Sequence, residues 1–224
     1  MATAPLQSGR ISDSTVRRLS LYLRMLRDLE RAGVEVVSSA RLAEPSGATS
    51  AQVRKDLSHF GSFGKRGRGY SVERLVRALE EILGLTQSWR LALVGVGKIG
   101  TALLGYGGLA GRGFDVVAAF DVDDAKIGSR AFGLTIRSVS ELRPAIAELG
   151  VEIGVVATPA RVAAEVAEKL ARAGVGAILN FAPVELSEIE GVPIRTVDIV
   201  LELEGLSYLL SEAGRRLASG GAGA

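Results

Sequence analysis

Apolar residues within 1–88 recur with the period of α-helices. From Ser14 they fall every three or four positions, as expected of a helix with one buried face: Val16, Leu19, Leu23, Leu26 and Leu29. Gly33 predicts the end of this helix, because glycine accepts the left-handed backbone conformation. Further helices are predicted at 40–44 and 72–83, so this part of the chain is expected to be largely helical.

Another helix is predicted to start at 49–52, where Thr-Ser-Ala-Gln has the form of a capping box, and to run to about Phe60. A helix, a short helix, a tight turn and a third helix follow one another as in a helix-turn-helix domain. Residues 61–70 are rich in glycine and basic side chains, so we expect a short ribbon that extends beyond the helices. We interpret this ribbon as a wing, and residues 1–88 as a winged-helix DNA-binding domain.

Residues 89–198 alternate strand and helix patterns. Short strands are predicted at 90–94, 115–120, 152–157, 176–180 and 192–197, and helices near 99–110, 139–148 and 160–173. The strands at 152–157 and 176–180 are short and apolar, as expected of strands that are covered on both faces of a sheet. This alternation is typical of an α/β fold with a doubly wound parallel sheet of the Rossmann type.

The C-terminal residues 199–224 form a separate segment. A helix is predicted at 199–217, followed by a disordered tail from Ser219. The helix carries the apolar residues Leu203, Leu206, Leu209 and Leu210. This apolar face favours a dimerisation helix, although burial within its own subunit would give the same pattern.

Charge is divided unevenly along the chain. Residues 1–88 hold 14 Lys and Arg against 9 Asp and Glu, a net charge of +5, whereas residues 89–224 hold 13 against 16, a net charge of −3. A basic first domain is typical of proteins that bind nucleic acid. The sequence shows neither an export signal nor an apolar run of membrane-spanning length, so we expect a cytoplasmic protein.

The residue inventory argues against several kinds of catalytic site. The chain has no cysteine and a single histidine, His59, so a metal site and a Ser-His-Asp triad are not expected. Lys126 and Lys169 are expected to face solvent, and Tyr106 and Tyr208 to lie on helices. No proton donor for hydride transfer is then left in the second domain. We expect a protein that binds its ligand, holds no metal and is not an enzyme.

The most specific motif is the glycine fingerprint Gly95-Val96-Gly97-Lys98-Ile99-Gly100, between a predicted strand and a predicted helix. Gly95 allows a tight turn, Gly97 lets the backbone approach a pyrophosphate, and Gly100 lets the helix pack on the strand. Asp121 ends the next strand, where a carboxylate accepts hydrogen bonds from both ribose hydroxyls and repels a 2′-phosphate. The pattern predicts NADH and NAD⁺ as ligands. A glycine-rich turn in a nucleotide-free domain is the alternative.

Two other predicted strands end in segments that contain proline. Thr158 and Pro159 follow one strand, and Asn180 and Phe181 follow the next. Ligands of open α/β sheets bind at the carboxyl ends of the strands, so we expect these four residues to line the cofactor site. The alternative is that the prolines only terminate the strands.

The third helix and the wing carry side chains suited to DNA. Polar helix residues read base edges, and basic residues contact guanine or phosphate. The residues expected to bind double-stranded DNA are Gln52, Arg54, Lys55 and Ser58 on the helix and Lys65, Arg66 and Arg68 on the wing. Asp56 is expected to pair with a cation inside the domain. An ordinary solvated helix face is the alternative for Arg54 and Lys55.

Four segments resemble the Rex family of redox-sensing repressors: 53–61, the wing at 64–70, the fingerprint at 95–100, and 179–183. The resemblance covers about residues 12–217. It implies a homodimer that binds an inverted-repeat operator in double-stranded DNA. It also implies that NADH releases the protein from DNA, whereas NAD⁺ competes for the site without releasing it.

The resemblance further implies a switch. The family uses an arginine of the first helix, a tyrosine after the glycine loop and an aspartate before the last helix, which fall on Arg24, Tyr106 and Asp198. By resemblance, Asp198 pairs with Arg24 of the partner subunit in the DNA-bound form and with Tyr106 at the cofactor site when NADH is bound. The last helix is expected to be exchanged between subunits.

Two other functions explain parts of the sequence. An NAD-dependent dehydrogenase would use the glycine fingerprint, with the N-terminal helices serving only for dimerisation. A CoA- or nucleotide-binding regulatory subunit would use a similar glycine turn but leaves the basic wing without a role. We therefore expect a repressor that responds to NADH.

Overall fold

The structure, a computed structural model, describes the backbone of residues 11–61, 63–65 and 69–220. It also describes the side chains of these residues except 64, 65 and 213–220. The chain divides into two compact units, Met1–Gln87 and Ser88–Ala224. Each unit has a hydrophobic core of its own.

Four helices form the body of the first unit: α1 (Asp13–Arg31), α2 (Ser39–Ala43), α3 (Ser50–Ser58) and α4 (Val72–Ile82). Leu19, Leu23, Leu26 and Leu29 of α1 are buried, as their spacing predicts. Gly33 takes the predicted left-handed conformation, with φ +72°. A short 3₁₀ turn, Glu44–Ser46, separates α2 from α3.

Strands of two or three residues complete the first unit. β1 (Val36–Val37) and β2 (Gly64–Lys65) both pair antiparallel with β3 (Gly69–Ser71). The predicted ribbon is therefore present as β2 and β3, and β1 anchors it to the helices. Of the predicted wing contacts, Lys65 is placed through its backbone only, and Arg66 and Arg68 lie outside the described residues.

A sheet of seven strands forms the centre of the second unit. Its strands are β4 (Trp89–Val94), β5 (Phe114–Asp121), β6 (Arg130–Ala131), β7 (Leu134–Ser138), β8 (Ile153–Val156), β9 (Ala177–Asn180) and β10 (Ile194–Thr196). The spatial order is β10-β9-β8-β4-β5-β7-β6, and only the β6–β7 pair is antiparallel. This confirms the predicted doubly wound α/β fold and adds β6 and β7, which the pattern analysis missed.

Helices cover the sheet: α5 (Lys98–Leu104), α6 (Leu142–Leu149) and α7 (Ala160–Ala173). The largest core cluster packs apolar residues of α6 and α7 against strands, with Phe120, Leu170 and Ile178 fully buried or nearly so. The prediction of a helix over 99–110 was too long, because α5 ends at Leu104 and Gly105 is its C-cap. Tyr106 therefore lies in the turn after α5 rather than on a helix.

The last helix, α8 (Ile199–Gly220), exposes its apolar side chains. The exposed fractions run from 56% for Leu206 to 75% for Leu210. The prediction of a disordered tail from Ser219 was wrong for Ser219 and Gly220, which are helical, and residues 221–224 lie outside the described residues. Within the described segments, we find no helix with the length and apolarity that crossing a bilayer requires.

Candidate nucleotide site and candidate DNA-binding surface

The glycine loop lies where the strand order of the sheet reverses. It follows β4, which has β5 on one side and β8 on the other. Gly95 adopts φ +99°, and a Cβ atom there would come within 2.6 Å of the carbonyl oxygen of Ala157, just after β8. In open α/β sheets, the crevice at such a reversal is the usual ligand site.

The other two glycines of the loop differ in their surroundings. A Cβ atom on Gly100 would collide with the carbonyl oxygen of Gly95, so only glycine allows α5 to pack this closely. A Cβ atom on Gly97 would meet no atom within 4 Å. Gly97 precedes Lys98 at the start of α5, and Ile99 is partly exposed beside it. The loop thus has one packed side and one open side.

Asp121 ends β5 with its carboxylate fully engaged. Oδ2 accepts hydrogen bonds from the backbone nitrogen of Val96 at 2.8 Å and from Nζ of Lys126 at 3.1 Å. Oδ1 accepts from the backbone nitrogens of Val122 at 2.8 Å and Asp123 at 3.0 Å. Burial disfavours the charged carboxylate, but these hydrogen bonds outweigh burial and lower the pKa of Asp121.

Lys126 is a residue that sequence reasoning misplaced. It was expected to face solvent, but its side chain is only 37% exposed and pairs with Asp121. Its ammonium also lies 3.6 Å from a carboxylate oxygen of Asp123. The hydrogen bond to Asp121 raises the pKa of Lys126. A lysine five positions after a predicted nucleotide-binding acid is the signal that could have identified it.

Thr158 and Pro159 follow β8 beside the glycine loop. The hydroxyl oxygen of Thr158 is the one buried side-chain polar atom without a partner in the described part of the chain. Its methyl carbon lies 3.0 Å from the position of a Cβ atom on Gly95. Pro159 immediately precedes α7. A buried hydroxyl without a partner is costly, which makes Thr158 a candidate for contact with a bound molecule.

Asn180 has a different environment from that predicted. It is completely buried, and its amide nitrogen donates to the carbonyl oxygens of Ala182 and Val184. Its amide oxygen accepts from the backbone nitrogen of Ala182 at 2.9 Å. These bonds shape the loop after β9 that contains Phe181. The amide of Asn180 is therefore used within the loop, and its contact with a cofactor stays a prediction.

The three predicted switch residues have different local environments. Tyr106 is 62% exposed, and Arg24 is exposed on α1. Asp198 accepts hydrogen bonds from the backbone nitrogens of Val200 and Leu201 and so caps the start of α8. Within the second unit, the described residues show no hydrogen bond between Tyr106 and Asp198, and the predicted switch stays a prediction.

The outer face of α3 presents basic and polar side chains. Arg54, Lys55 and Ser58 are exposed, as predicted. Arg54 donates to the hydroxyl of Ser39 at 3.1 Å, which links α3 to the start of α2. Ser58 donates to the carbonyl oxygen of Lys55 within its own helix. The basic pair of this surface is therefore available to an anionic partner.

The inner face of α3 is held by a buried polar cluster around Asp56. Asp56 is 1% exposed and accepts two hydrogen bonds of 2.7 Å from the guanidinium of Arg18. The hydroxyl of Tyr22 donates at 3.0 Å and the amide of Gln52 at 2.7 Å. Burial alone would raise the pKa of Asp56, but the hydrogen bonds from Arg18, Gln52 and Tyr22 lower it.

This cluster confirms that Asp56 pairs with a cation inside the unit, and it also includes the side chain of Gln52. The backbone nitrogen of Gln52 donates to the hydroxyl of Thr49, so the predicted helix cap forms. The side chain of Gln52, expected to read a base edge, instead donates to Asp56. Gln52 thus contributes to the placement of α3 through Asp56.

Comparisons with known proteins match both units. Residues 10–58 match the family model described as "Putative DNA-binding protein N-terminus", and residues 86–184 match the "CoA binding domain" model. The chain is similar to the redox-sensing transcriptional repressor Rex of Streptomyces coelicolor, with 46% identity over 96% of this chain and 84% of the relative. It is also similar to the Rex repressor of Syntrophobacter fumaroxidans, with 45% identity over 91% of this chain and 97% of the relative.

Solved structures give the same result. The chain resembles a Rex-family repressor, RSP, in complex with β-NAD⁺ and operator DNA, with a TM-score of 0.86 and 33% identity over 97% of this chain and all of that one. It also resembles RSP in complex with β-NADH, with a TM-score of 0.85 and 31% identity over 94% of this chain and 99% of that one. On this identity and coverage, the chain belongs to the Rex family of redox-sensing transcriptional repressors.

Proposed function

We propose that this repressor binds operator DNA through α3 and the wing, and that NADH binding to its second unit releases it. The proposal rests on one observation: two features occur together in the same chain. One is the glycine loop with Asp121 at the strand reversal of the sheet, and the other is the basic outer face of α3. A dehydrogenase needs the first feature and has no use for the second.

The residues of the second unit fit a dinucleotide. The open side of Gly97 leaves space for a pyrophosphate to approach the backbone. Asp121 ends β5 beside this loop, and its carboxylate is the proposed acceptor for a ribose hydroxyl. The unpartnered hydroxyl of Thr158 lies beside the same loop. Pro159 and Phe181 follow the ends of neighbouring strands and flank this crevice. The loop itself contains Val96, Lys98 and Ile99. The proposed ligands are NADH and NAD⁺, which the RSP structures contain.

The proposed DNA contacts fall on the first unit. Arg54 and Lys55 approach guanine or phosphate, and Ser58 lies one helical turn further along the same exposed face. Lys65, Arg66 and Arg68 of the wing add attraction to phosphate that is independent of sequence. The cluster of Arg18, Tyr22 and Asp56 fixes the direction of α3 relative to α1. A fixed reader helix discriminates between bases better than a mobile one.

The proposed assembly is a homodimer joined in part by α8. A soluble chain rarely leaves apolar side chains such as Leu206, Leu209 and Leu210 exposed along one helix unless a partner covers them. A symmetric dimer also matches an inverted-repeat operator. Within this dimer, Asp198 is proposed to exchange Arg24 of the partner subunit for Tyr106 when NADH binds. One carboxylate with two competing partners is a two-state element that a ligand can bias.

The proposal includes binding without turnover. The single histidine of the chain, His59, follows α3 in the first unit, the unit to which we assign DNA binding. Lys126, a possible proton donor by residue type, forms an ion pair with Asp121 in this structure. The relatives named above are transcriptional repressors.

The proposed function is tested on a duplex selected from a random pool by the purified full chain. Fluorescence anisotropy should show that the protein binds this inverted-repeat duplex tightly. The complex should dissociate when NADH is added and stay intact when NAD⁺ is added. The Arg54→Ala variant should lose about tenfold in DNA affinity, as expected for one good base or phosphate contact, and keep its NADH affinity. Binding that is indifferent to NADH would refute the sensor, and equal loss of both affinities would refute separate sites.

A further inference from the structure

The carboxylate of Asp121 has no unused acceptor position. An ionised carboxylate offers about four lone-pair positions. Three are filled by backbone nitrogens, those of Val96, Val122 and Asp123, and the fourth by Nζ of Lys126. A ribose hydroxyl that donates to Asp121 must therefore replace one of these four donors.

Lys126 is the donor that can leave. The three backbone donors belong to the glycine loop and to the turn after β5, whose course they fix. The side chain of Lys126 is 37% exposed on a flexible stem, and water can solvate its ammonium after displacement. Coenzyme binding at Asp121 is then an exchange of an ammonium for a ribose hydroxyl.

The displaced ammonium stays close to the ribose. The backbone nitrogen of Lys126 donates to the carbonyl oxygen of Asp123 at 2.9 Å, which holds the residue in the turn after β5. The carboxylate of Asp123 lies 3.6 Å from the same ammonium and offers a second position for it. A displaced ammonium would thus have a second carboxylate to pair with in the same turn.

We propose that Lys126 sets the discrimination between NADH and NADPH at the ribose subsite. In its resting position it competes with the ribose hydroxyls for Asp121 and so weakens the binding of NADH. After displacement it is within reach of a 2′-phosphate and offsets the repulsion that Asp121 exerts on that group. Asp121 alone would favour NADH strongly over NADPH. Lys126 therefore reduces the difference in affinity between the two coenzymes. This inference rests on the proposed function, since it concerns the same coenzyme site.

The charge states of the pair agree with this exchange. The pKa of Lys126 is raised by its hydrogen bond to Asp121, and the pKa of Asp121 is lowered despite its burial. Both groups are charged at neutral pH, so the ribose hydroxyl competes with a full ion pair. Asp121 is buried, but the side chain of Lys126 remains 37% exposed, so water can solvate the ammonium that a ribose hydroxyl displaces.

The test uses the full-length Lys126→Met variant, with Kd values for NADH and NADPH from isothermal titration. We expect NADH to bind about two- to fivefold more tightly and NADPH more weakly, so that the ratio of the NADPH Kd to the NADH Kd rises about tenfold. Lys126→Arg keeps the charge and should keep the ratio near that of the wild type. Lys169→Met is the matched control, because Lys169 forms an ion pair of 2.7 Å with Glu165 on α7 and its loss changes the net charge equally.

Each outcome separates the inference from the proposed function. Suppose that the wild type binds NADH and that Lys126→Met leaves the ratio of the NADPH Kd to the NADH Kd unchanged. This result overturns the role of Lys126 and leaves the proposed sensor function intact. Wild type that binds neither coenzyme overturns both. If Lys126→Met does not fold, as judged by circular dichroism, Lys126→Gln is measured instead. Comparison of 5′-AMP with adenosine 2′,5′-bisphosphate on the same variants should show the same change of ratio, which assigns the effect to the 2′-phosphate.

Discussion

Oδ2 of Asp121 lies 2.8 Å from the backbone nitrogen of Val96, across 25 positions of sequence. This hydrogen bond joins the carboxyl end of β5 to the glycine loop after β4. The acid that is expected to bind ribose thus also holds the loop that is expected to bind the pyrophosphate. Ribose recognition and loop order are coupled through one carboxylate.

Asp121→Ala should weaken NADH binding by about 100-fold, because charge-assisted hydrogen bonds contribute about 1.5–3 kcal/mol each and the loop also loses its anchor. NADH fluorescence titration measures the loss. The exposed Asp124, on the same turn, is the control, and Asp124→Ala should stay within about twofold of wild type. Comparable losses in both variants would mean that general charge, rather than the position of Asp121, governs binding.

Two glycine substitutions should separate folding from binding. Gly100→Ala places a Cβ atom against the carbonyl oxygen of Gly95, so it should destabilise the second unit by about 1–3 kcal/mol. Gly97→Ala enters open space and should change the free energy of unfolding by only about 0.5 kcal/mol, yet it should reduce NADH affinity, because the methyl group occupies the proposed approach of the pyrophosphate.

Urea unfolding and NADH titration of the two glycine variants provide the comparison. A Gly97→Ala variant with normal NADH affinity would show that the coenzyme does not approach this side of the loop.

The Asp56 cluster predicts a pH-dependent stability of the first unit. Asp56→Asn should lower the free energy of unfolding at pH 7 by about 3 kcal/mol, because it breaks a buried ion pair with Arg18. The pKa of Asp56 is lowered in the folded state, so its contribution is present above the unfolded pKa and disappears as pH falls through the folded pKa. The difference between variant and wild type should therefore shrink in acid.

Urea unfolding followed by circular dichroism at pH 7 and pH 3 measures this difference. Asp28→Asn is the control, because Asp28 forms an exposed ion pair with Arg31. This substitution should lower the free energy of unfolding by less than about 0.5 kcal/mol. An Asp56→Asn deficit that is the same at both pH values would contradict the assigned ionisation.

A charge on the apolar face of α8 should prevent dimerisation. Leu209 is 61% exposed in the single chain, so Leu209→Glu should leave the folded subunit intact but introduce a carboxylate into the proposed interface. Ser211→Glu adds the same charge about 200° around the helix and serves as the control. Sedimentation velocity should show monomers for Leu209→Glu and dimers for Ser211→Glu. Dimers for both would remove α8 from the interface.

The sequence predicted those features that depend on local pattern. The buried stripe of α1, the cap of α3 by Thr49 and the turn at Gly95 each follow from residue type and spacing. Strand β7 was missed because it is short and mixes polar with apolar residues. The end of α5 was misplaced because apolar residues continue past Gly105, whereas α5 ends at Leu104 and only the short 3₁₀ helix Ala110–Arg112 follows.

Side-chain partners across the fold were harder to predict. The contact of Lys126 with Asp121 depends on the tight turn after β5, and that of Gln52 with Asp56 on the burial of one helix face. Both residues were assigned to exposed surfaces because lysine and glutamine are usually exposed. The internal bonding of Asn180 likewise depends on the loop after β9, whose path the sequence does not specify.

The central claim is that NADH and operator DNA bind to different states of one protein. Linkage requires that, if NADH weakens operator binding by some factor, the operator weakens NADH binding by the same factor. The decisive measurement is the NADH Kd of the purified chain with and without a saturating selected duplex, beside the duplex Kd with and without NADH. The account predicts two matching factors, each about 100-fold or less, as is typical of allosteric coupling. An NADH Kd that is the same with and without the duplex would contradict it.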